Sequence, residues 1–167
     1  MKDKIISIYP GTFDPITKGH IDIIERAANI FDHVIVTLAL NQSKKPLFST
    51  EERMFMIHDA VDDFENVTVE QFDGLLVDFA QKRNARVIIR GLRAISDFEY
   101  EFQMALMNKK LSNGISTVFL MPNEKYTYLN STIVKDVAKF NGNVDNFVTK
   151  LVADELTKKF KRNNTKR

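Results

Sequence analysis

Short apolar, β-branched runs alternate along this chain with segments whose apolar residues recur at helical spacing. The strand-like runs are Ile5–Tyr9, Val34–Leu40, Val67–Phe72, Arg86–Arg90 and Thr117–Met121. Strands that are apolar almost throughout, with helices between them, are typical of a parallel sheet buried on both faces. Because crossovers between parallel strands are right-handed, the sequence predicts a single-domain α/β fold. We expect a Rossmann-like, doubly wound, five-stranded parallel sheet with helices on both faces and C-terminal helices.

The helical segments carry recognisable start signals. Two contain a capping-box pattern, in which a serine is followed three residues later by a glutamate, so we expect helices to begin after Ser49 and Ser96. A last helix is expected from about Asp145 to Phe160. Since no repeat or linker is visible, residues 1–160 are interpreted as one domain and residues 161–167 as a basic, frayed tail.

Charge and composition exclude several classes of protein. Six basic residues fall within Thr157–Arg167, so the rest of the chain carries 18 Lys and Arg against 22 Asp and Glu. A nucleic-acid-binding domain would show a basic face instead, and nucleic acid is not an expected partner. The chain has no cysteine, and no apolar run approaches the roughly 20 residues that span a bilayer. We therefore expect no disulfide, no membrane association and a cytoplasmic location.

Residues 8–20 place a glycine-containing turn between the first strand and the first helix. They read Ile-Tyr-Pro-Gly-Thr-Phe-Asp-Pro-Ile-Thr-Lys-Gly-His. Backbone N–H groups at the start of a helix have no intrahelical partner, and the helix dipole favours anions there. The segment is therefore a candidate phosphate-binding turn, with His20 beside the anion.

The loops after the other strands carry further groups that suit phosphate. In a doubly wound sheet, ligands bind beyond the carboxyl ends of the strands, near the point where the strand order reverses. The candidate groups at this end are Gly11, Thr12, Lys44, Lys45, Arg90, Arg93, Ser131 and Thr132. Each has another explanation when taken alone: the glycine could allow a turn, the lysines could be solvated, and Ser131 or Thr132 could cap a helix. Their convergence on one edge of the sheet favours a polyphosphate site.

Two common nucleotide-binding motifs are absent from the sequence. No Gly-x-Gly-x-x-Gly follows the first strand, which disfavours a dinucleotide oxidoreductase. No Gly-x-x-x-x-Gly-Lys-Ser/Thr occurs either, which disfavours a P-loop NTPase. With no cysteine and no paired histidines, a structural metal site is not expected.

The turn and four other blocks resemble one enzyme family. Thr17-Lys18-Gly19-His20 resembles the Thr/His-x-Gly-His motif of the nucleotidyltransferase superfamily, and Tyr9–His20 as a whole is similar to the bacterial phosphopantetheine adenylyltransferases. The other similar blocks are Ser43–Pro46, Ile89–Ala94, Asp97–Glu101 and Val118–Pro122. The resemblance as a whole extends over nearly the whole chain up to the tail. The chain departs from a common pattern of the family at Tyr126, where Trp is frequent, and at Asn130, where a serine often lies.

The resemblance implies a nucleotidyltransferase domain and a reaction. AMP would pass reversibly from ATP to 4′-phosphopantetheine, giving dephospho-coenzyme A and pyrophosphate, without a covalent enzyme intermediate. By resemblance, His20 would stabilise the transition state, and Lys44 and Arg93 would be further catalytic residues. ATP would be bound by Thr12, Phe13, His20, Gly91, Leu92, Arg93, Glu101, Tyr126, Thr127, Tyr128, Leu129, Asn130, Ser131 and Thr132. The acceptor would be bound by Thr12, Lys44, Leu76 and Arg90.

The family also implies partners and leaves alternatives open. Mg²⁺ would be held mainly by the ATP phosphates, with no direct protein ligand. Homo-oligomers, commonly hexamers, and inhibition by coenzyme A are implied as well. A related cytidylyltransferase or nicotinamide-mononucleotide adenylyltransferase could use the same site with another acceptor, although these more often have His at the position of Thr17. From another functional class, the domain could be a nucleotide sensor that binds without reacting.

Overall fold

Five parallel strands form a single sheet in the computed structural model, which describes residues 4–40, 45–93 and 95–164. The strands are β1 (Ile6–Gly11), β2 (His33–Ala39), β3 (Val67–Phe72), β4 (Val87–Gly91) and β5 (Ser116–Leu120). Every neighbouring pair is parallel, and the strand order is β3-β2-β1-β4-β5. The predicted fold class and the five predicted strands are confirmed.

Six α-helices are found in the described part of the chain. They are α1 (Lys18–Ile30), α2 (Thr50–Val61), α3 (Leu76–Lys82), α4 (Ile95–Leu111), α5 (Ser131–Lys139) and α6 (Lys150–Asn164), and a short 3₁₀ helix (Glu124–Tyr126) follows β5. Helices α1 to α4 provide the crossovers that parallel strands require. Among the described residues, no helix is long and apolar enough to cross a membrane.

Both faces of the sheet are buried, because successive side chains of a strand point to opposite faces. On one face, Ile8 of β1 belongs to a small apolar cluster with Phe79 of α3. On the other face, Tyr9 belongs to a larger cluster that includes Ile24 of α1 and Leu156 of α6. Burial on both sides explains why the central strands are apolar at consecutive positions.

The predicted helix starts are partly confirmed. Helix α2 begins as expected, since the Ser49 hydroxyl accepts from the Glu52 N–H at 3.2 Å and the Glu52 carboxylate accepts from the Ser49 N–H at 2.7 Å. The prediction that a helix begins after Ser96 is wrong, because Ser96 lies inside α4, which already begins at Ile95. A four-residue pattern identifies a helix here but not its first residue.

The last helix begins later and ends later than its pattern predicts. It begins at Lys150 and not near Asp145. The Asp145 N–H donates to the side-chain oxygen of Asn143 at 2.8 Å, and such a local turn competes with helix formation. The Thr149 hydroxyl accepts from the Val152 N–H at 3.4 Å, as an N-cap does. The helix continues to Asn164, into the segment that the sequence predicts as a tail.

The order of the strands fixes where a ligand can bind. Strand β1 lies between β2 and β4. From β1, the chain first adds β2 and β3 on one side of the sheet and then adds β4 and β5 on the other side. The carboxyl ends of β1 and β4, Gly11 and Gly91, therefore flank a crevice that no crossover helix fills.

Candidate active site

A cavity of about 320 Å³ opens at the carboxyl ends of β1 and β4. Its lining includes ten of the residues that the sequence analysis assigns to substrates: Thr12, Phe13, His20, Leu76, Arg90, Gly91, Arg93, Glu101, Tyr126 and Leu129. Residues from β1, α1, β4, α4 and the loop after β5 thus meet in one place. These groups lie far apart along the chain, and they meet because the loops at the carboxyl ends of parallel strands share one edge of the sheet.

Other predicted residues lie outside the cavity lining. Leu92, Thr127, Tyr128, Asn130, Ser131 and Thr132 are near it in sequence but do not line it. Lys44 lies outside the residues that the structure describes. The cavity also has lining residues that the resemblance does not assign: Tyr9, Pro10, Gly11, Thr17, Gly19, Ile23, Ala39, Phe72 and Pro122. Several of them are backbone or apolar contacts, which carry no chemical signal in a sequence.

The turn after β1 is shaped by a close contact between Gly11 and Phe13. A Cβ atom on Gly11 would lie 2.7 Å from the Phe13 ring, so any other residue would displace this ring. Phe13 itself has a positive φ of 45°, which a bulky residue adopts only where its surroundings hold it. Its buried ring packs edge-on against Tyr9 and His20, at centroid distances of 5.7 and 5.2 Å. Gly11 is therefore required by packing and not only by a turn.

The orientation of His20 is set by the first turn of α1. Thr17 is the N-cap of this helix, and its backbone N–H donates to Nδ1 of His20 at 3.0 Å. An imidazole nitrogen that accepts from a backbone N–H carries no proton, so in the neutral ring the proton is on Nε2. His20 thus takes the place that Glu or Gln occupies in the usual capping box. Sequence reasoning missed this pairing.

His20 is neutral at physiological pH. The ring is partly buried, and this loss of hydration, together with the positive charge of Arg93, lowers its pKa from 6.5 to about 4. A neutral ring with the proton on Nε2 is a hydrogen-bond donor that brings no full charge. Such a donor suits an anionic oxygen in the cavity.

Two arginines add positive charge to the cavity. Arg90, at the end of β4, makes two hydrogen bonds with the Glu101 carboxylate, from Nε at 2.6 Å and from Nη2 at 2.5 Å. Its Nη1 also donates to the Pro10 carbonyl at 3.3 Å. Arg93 donates from Nη1 to the Leu129 carbonyl at 3.2 Å, which joins the loop after β4 to the loop after β5.

Asp14 holds three segments of the site together. Its buried carboxylate accepts from the backbone N–H groups of Leu47 and Phe48, both at 3.0 Å, and from Nζ of Lys135 at 2.6 Å. Burial alone would raise the pKa of Asp14, but the bonds from Lys135 and the two amides lower it below 3.8. Sequence reasoning treats Asp14-Pro15 only as a turn signal and misses this role, because the partners are remote in sequence.

Two more side chains fix the same turn from outside. Arg53 of α2 is buried, and its Nη1 donates to the Thr12 carbonyl at 3.0 Å. The Ser131 hydroxyl donates to the Pro15 carbonyl at 2.7 Å.

The N-cap of α5 is Asn130, whose side-chain oxygen accepts from the Ile133 N–H at 2.9 Å. The alternative that Ser131 or Thr132 caps this helix is therefore wrong.

Comparison with known proteins identifies the family. Residues 8–137 match the sequence model of the Cytidylyltransferase-like family. A phosphopantetheine adenylyltransferase from Caldanaerobacter subterraneus subsp. tengcongensis is 55% identical over 94% of this chain and 98% of its own length. Proteins of the same name from Alkaliphilus metalliredigens and Dictyoglomus thermophilum are 53% and 54% identical, over 92% and 93% of this chain and 98% and 95% of their own lengths. The chain belongs to the phosphopantetheine adenylyltransferase family.

Solved structures extend the likeness to other nucleotidyltransferases. A putative nicotinate-nucleotide adenylyltransferase from Vibrio parahaemolyticus aligns with a TM-score of 0.68 at 17% identity, over 93% of this chain and 99% of that one. The Plasmodium falciparum nicotinic acid mononucleotide adenylyltransferase complexed with NaAD gives the same TM-score at 15% identity, over 93% and 96% of the two chains. At such identities the likeness shows a shared fold alone. The assignment to the family therefore rests on the sequence relatives and not on these structures.

Proposed function

We propose that this chain is a nucleotidyltransferase that transfers the adenylyl group of ATP to 4′-phosphopantetheine and releases pyrophosphate. The observation that carries this proposal is the 55% identity to a phosphopantetheine adenylyltransferase over 94% of this chain and 98% of that protein. The product, dephospho-coenzyme A, places the enzyme in coenzyme A biosynthesis. The cavity supports the proposal, because its cations and donors suit two phosphorylated substrates.

The proposed reaction is one in-line displacement. A phosphate oxygen of 4′-phosphopantetheine attacks the α-phosphorus of ATP, the new P–O bond forms, and the bond to the pyrophosphate oxygen breaks. The attacking phosphate is already ionised, so no general base is needed. Catalysis then depends on positioning and on stabilising the charge on the phosphoryl oxygens. Nε2–H of His20 is the proposed donor to the α-phosphate, and Lys44 and Arg93 are proposed to stabilise the developing charge.

The two substrates are proposed to lie side by side in the cavity. Thr12, Lys44, Leu76 and Arg90 are assigned to 4′-phosphopantetheine, and the segments around Gly91 and Tyr126–Thr132 to ATP. Mg²⁺ enters with ATP as part of the substrate. The described residues contain no group of three His, Asp or Glu side chains that could hold a metal ion. The one carboxylate among the described lining residues, Glu101, is paired with Arg90.

The proposed activity is tested by pyrophosphate release from purified protein, ATP and Mg²⁺. Turnover is expected with ATP and 4′-phosphopantetheine. No turnover is expected when nicotinamide mononucleotide replaces 4′-phosphopantetheine or when CTP replaces ATP. The variant H20A is expected to lower kcat by roughly 10²–10³-fold, as loss of one preorganised donor does, while the Kd for ATP changes little. The matched control is H58A, since His58 is exposed on α2 and does not line the cavity.

Two outcomes would contradict the proposal in different ways. Turnover with another acceptor and none with 4′-phosphopantetheine would assign the site to a related transferase. ATP binding by calorimetry, with no dephospho-coenzyme A formed in the presence of Mg²⁺ and acceptor, would favour a nucleotide sensor.

We further propose that the enzyme self-associates, in hexamers, and that coenzyme A competes for the same cavity. Large exposed apolar side chains on α4 support self-association, among them Phe102, Leu106 and Met107. Coenzyme A contains both halves of the product, so it can occupy both substrate positions at once. The cytoplasmic location stays a prediction.

A further inference from the structure

We propose that Arg53 is a positioning residue for the reaction, which fixes the peptide group between Thr12 and Phe13 so that the Phe13 N–H donates to a phosphate of ATP. This inference rests on the proposed function, which assigns Thr12 and Phe13 to ATP. Arg53 is not among the described residues that line the cavity, so it acts only through the turn after β1. The family resemblance assigns no role to Arg53.

The Arg53 side chain connects helix α2 to this turn. It is buried, with 5% of the residue exposed, and its Nη1 donates to the Thr12 carbonyl at 3.0 Å. Its two other bonds stay within the first turn of α2, from Nε to the Ser49 carbonyl at 3.3 Å and from Nη2 to the Thr50 hydroxyl at 3.4 Å. These two bonds fix the guanidinium on α2, and the third fixes the turn to the guanidinium. A role confined to the start of α2 would not require the bond to Thr12.

The bond to Thr12 determines the direction of the next N–H group. The peptide group between Thr12 and Phe13 is planar and trans, so its carbonyl and its N–H point in opposite directions. The Phe13 N–H therefore points away from the guanidinium of Arg53. No hydrogen bond from this N–H to a described residue is found. Because both residues line the cavity, this N–H is a donor that a phosphate can use.

The conformation of Phe13 shows why this peptide group has to be held. Phe13 has a φ of 45°, in a region that bulky residues rarely adopt. The contacts of its ring with Tyr9 and His20 hold the side chain, while Arg53 holds the peptide group that precedes it. Without the bond from Arg53, this peptide group can rotate and φ can return to a negative value. The Phe13 N–H would then lose its direction.

The charge of Arg53 adds to the effect of its geometry. All three bonds that its side chain makes with described residues go to uncharged oxygens. Charged groups are seldom buried without a partner of opposite charge, because the loss of hydration is costly. A cation bonded to a carbonyl also polarises the peptide group and strengthens its N–H as a donor. An anion bound at the Phe13 N–H would thus offset the charge of Arg53 across one peptide group.

The kinetic test compares R53M with two control variants, V61A and R26M. We expect R53M to lower kcat/KM for ATP by roughly 10- to 100-fold, because misplacing a binding group by about 1 Å has effects of that size. V61A removes a buried apolar side chain from the same helix, so it lowers stability without removing a bond to the turn. R26M removes a positive charge that lies outside the cavity lining. Both controls should keep kcat/KM within about twofold of the wild type.

A second measurement follows the Phe13 N–H itself. The dipeptide Thr-Phe occurs once in the sequence, so carbon-13 carbonyl threonine with nitrogen-15 phenylalanine labels this peptide group alone. In the wild type, ATP with Mg²⁺ should move the Phe13 amide proton downfield, because the amide gains a charge-assisted hydrogen bond. In R53M this change should be lost or much smaller, whereas V61A should retain it. A loss of stability alone would not produce this difference.

Several results would overturn the inference. It fails if R53M keeps the kcat/KM and the amide shift of the wild type, or if V61A loses as much kcat/KM as R53M does. All variants are assayed at a temperature at which circular dichroism shows them to be folded. If R53M does not fold, R53K takes its place, since lysine keeps the charge but cannot make the three bonds from one nitrogen. R53K should show a smaller loss than is expected for R53M, and wild-type values in R53K would overturn the inference.

The wild type separates this inference from the proposed function. If the wild type converts 4′-phosphopantetheine and R53M does so equally well, only the inference fails. If the wild type binds ATP but transfers nothing to the acceptor, the proposed function fails, and the amide shift in R53M still decides the inference. If the wild type binds no ATP, both fail.

Discussion

The protonation of His20 is decided by Thr17, which lies in the same turn, by burial, and by Arg93 in the loop after β4. The Thr17 N–H donates to Nδ1, and burial together with the positive charge of Arg93 lowers the pKa of the ring to about 4. We expect the imidazole in the ligand-free protein to be neutral at pH 7, with its proton on Nε2, and to take up a second proton only near pH 4. Nitrogen-15 NMR of the histidine rings, followed from pH 8 to pH 3, measures both the tautomer and the pKa. The variant H20A assigns the signals.

A different pKa or tautomer of His20 would change the proposed chemistry. If the pKa of His20 were above 7, or if its proton were on Nδ1, the ring would approach the α-phosphate as a cation or without a donor on Nε2. The proposed neutral donor would then be wrong. The variant R93M provides an internal check, because loss of the nearby positive charge should raise the pKa of His20.

At the residue scale, sequence reasoning identifies groups by chemical type and misses the groups that hold them. His20, Arg90 and Arg93 are predictable because cations and a histidine at strand ends suggest phosphate. The partner of Arg90, Glu101, lies on another element, and its pairing depends on where α4 crosses the sheet. The bond between Asp14 and Lys135 spans 121 residues of sequence, so no local pattern contains it.

At the scale of elements, Asp14 joins the turn after β1, the segment before α2 and helix α5. We expect D14N to lower the free energy of unfolding at pH 7 by about 2–3 kcal/mol, since each hydrogen bond to a charged group contributes about 1.5–3 kcal/mol. Urea unfolding at several pH values measures the change. The control is D154N, which removes the acid of the exposed Lys150–Asp154 pair and should have close to no effect.

The pH dependence of this difference follows from the sign of the pKa shift. The pKa of Asp14 is lower in the folded protein than its ordinary value of 3.8, so the folded state favours the carboxylate. Its stabilisation is present above pH 3.8 and is lost as the pH falls below that value. The difference in unfolding free energy between the wild type and D14N should therefore become smaller as the pH falls. A difference in unfolding free energy that stays constant down to pH 3, or that grows, would contradict the stabilising role assigned to the Asp14 carboxylate.

The elements themselves differ in how well they can be predicted. All five strands are found within two residues, and the central strands β1, β2 and β4 are found because burial on both faces leaves uninterrupted apolar runs. Helix starts are found less well, because polar side chains near a start compete for the same backbone groups. Asn143 delays α6 in this way, and Asn130 rather than Ser131 caps α5.

At the scale of the whole molecule, helix α4 carries more apolar surface than an isolated chain would be expected to expose. Phe98, Phe102 and Leu106 are spaced four residues apart and so form a stripe along one side of the helix. The rings of Phe98 and Phe102 stack at 5.6 Å, and 54% of Leu106 is exposed. Contiguous exposed apolar surface of this kind marks interaction sites in soluble proteins. Because α4 also carries Glu101, which lines the cavity, contact between copies through α4 would affect the cavity.

We therefore expect L106E to weaken self-association, because a charge placed in an apolar interface loses its hydration without gaining a partner. Light scattering coupled to size exclusion should give six chains of 19.2 kDa for the wild type and a smaller assembly for L106E. The control is F140E, since Phe140 is 80% exposed but lies at the end of α5, outside the stripe. A wild type that stays monomeric at micromolar concentration would remove the proposed role of this surface. If L106E dissociates the assembly and also raises the KM for the acceptor, the stripe supports the cavity, which α4 lines with Glu101.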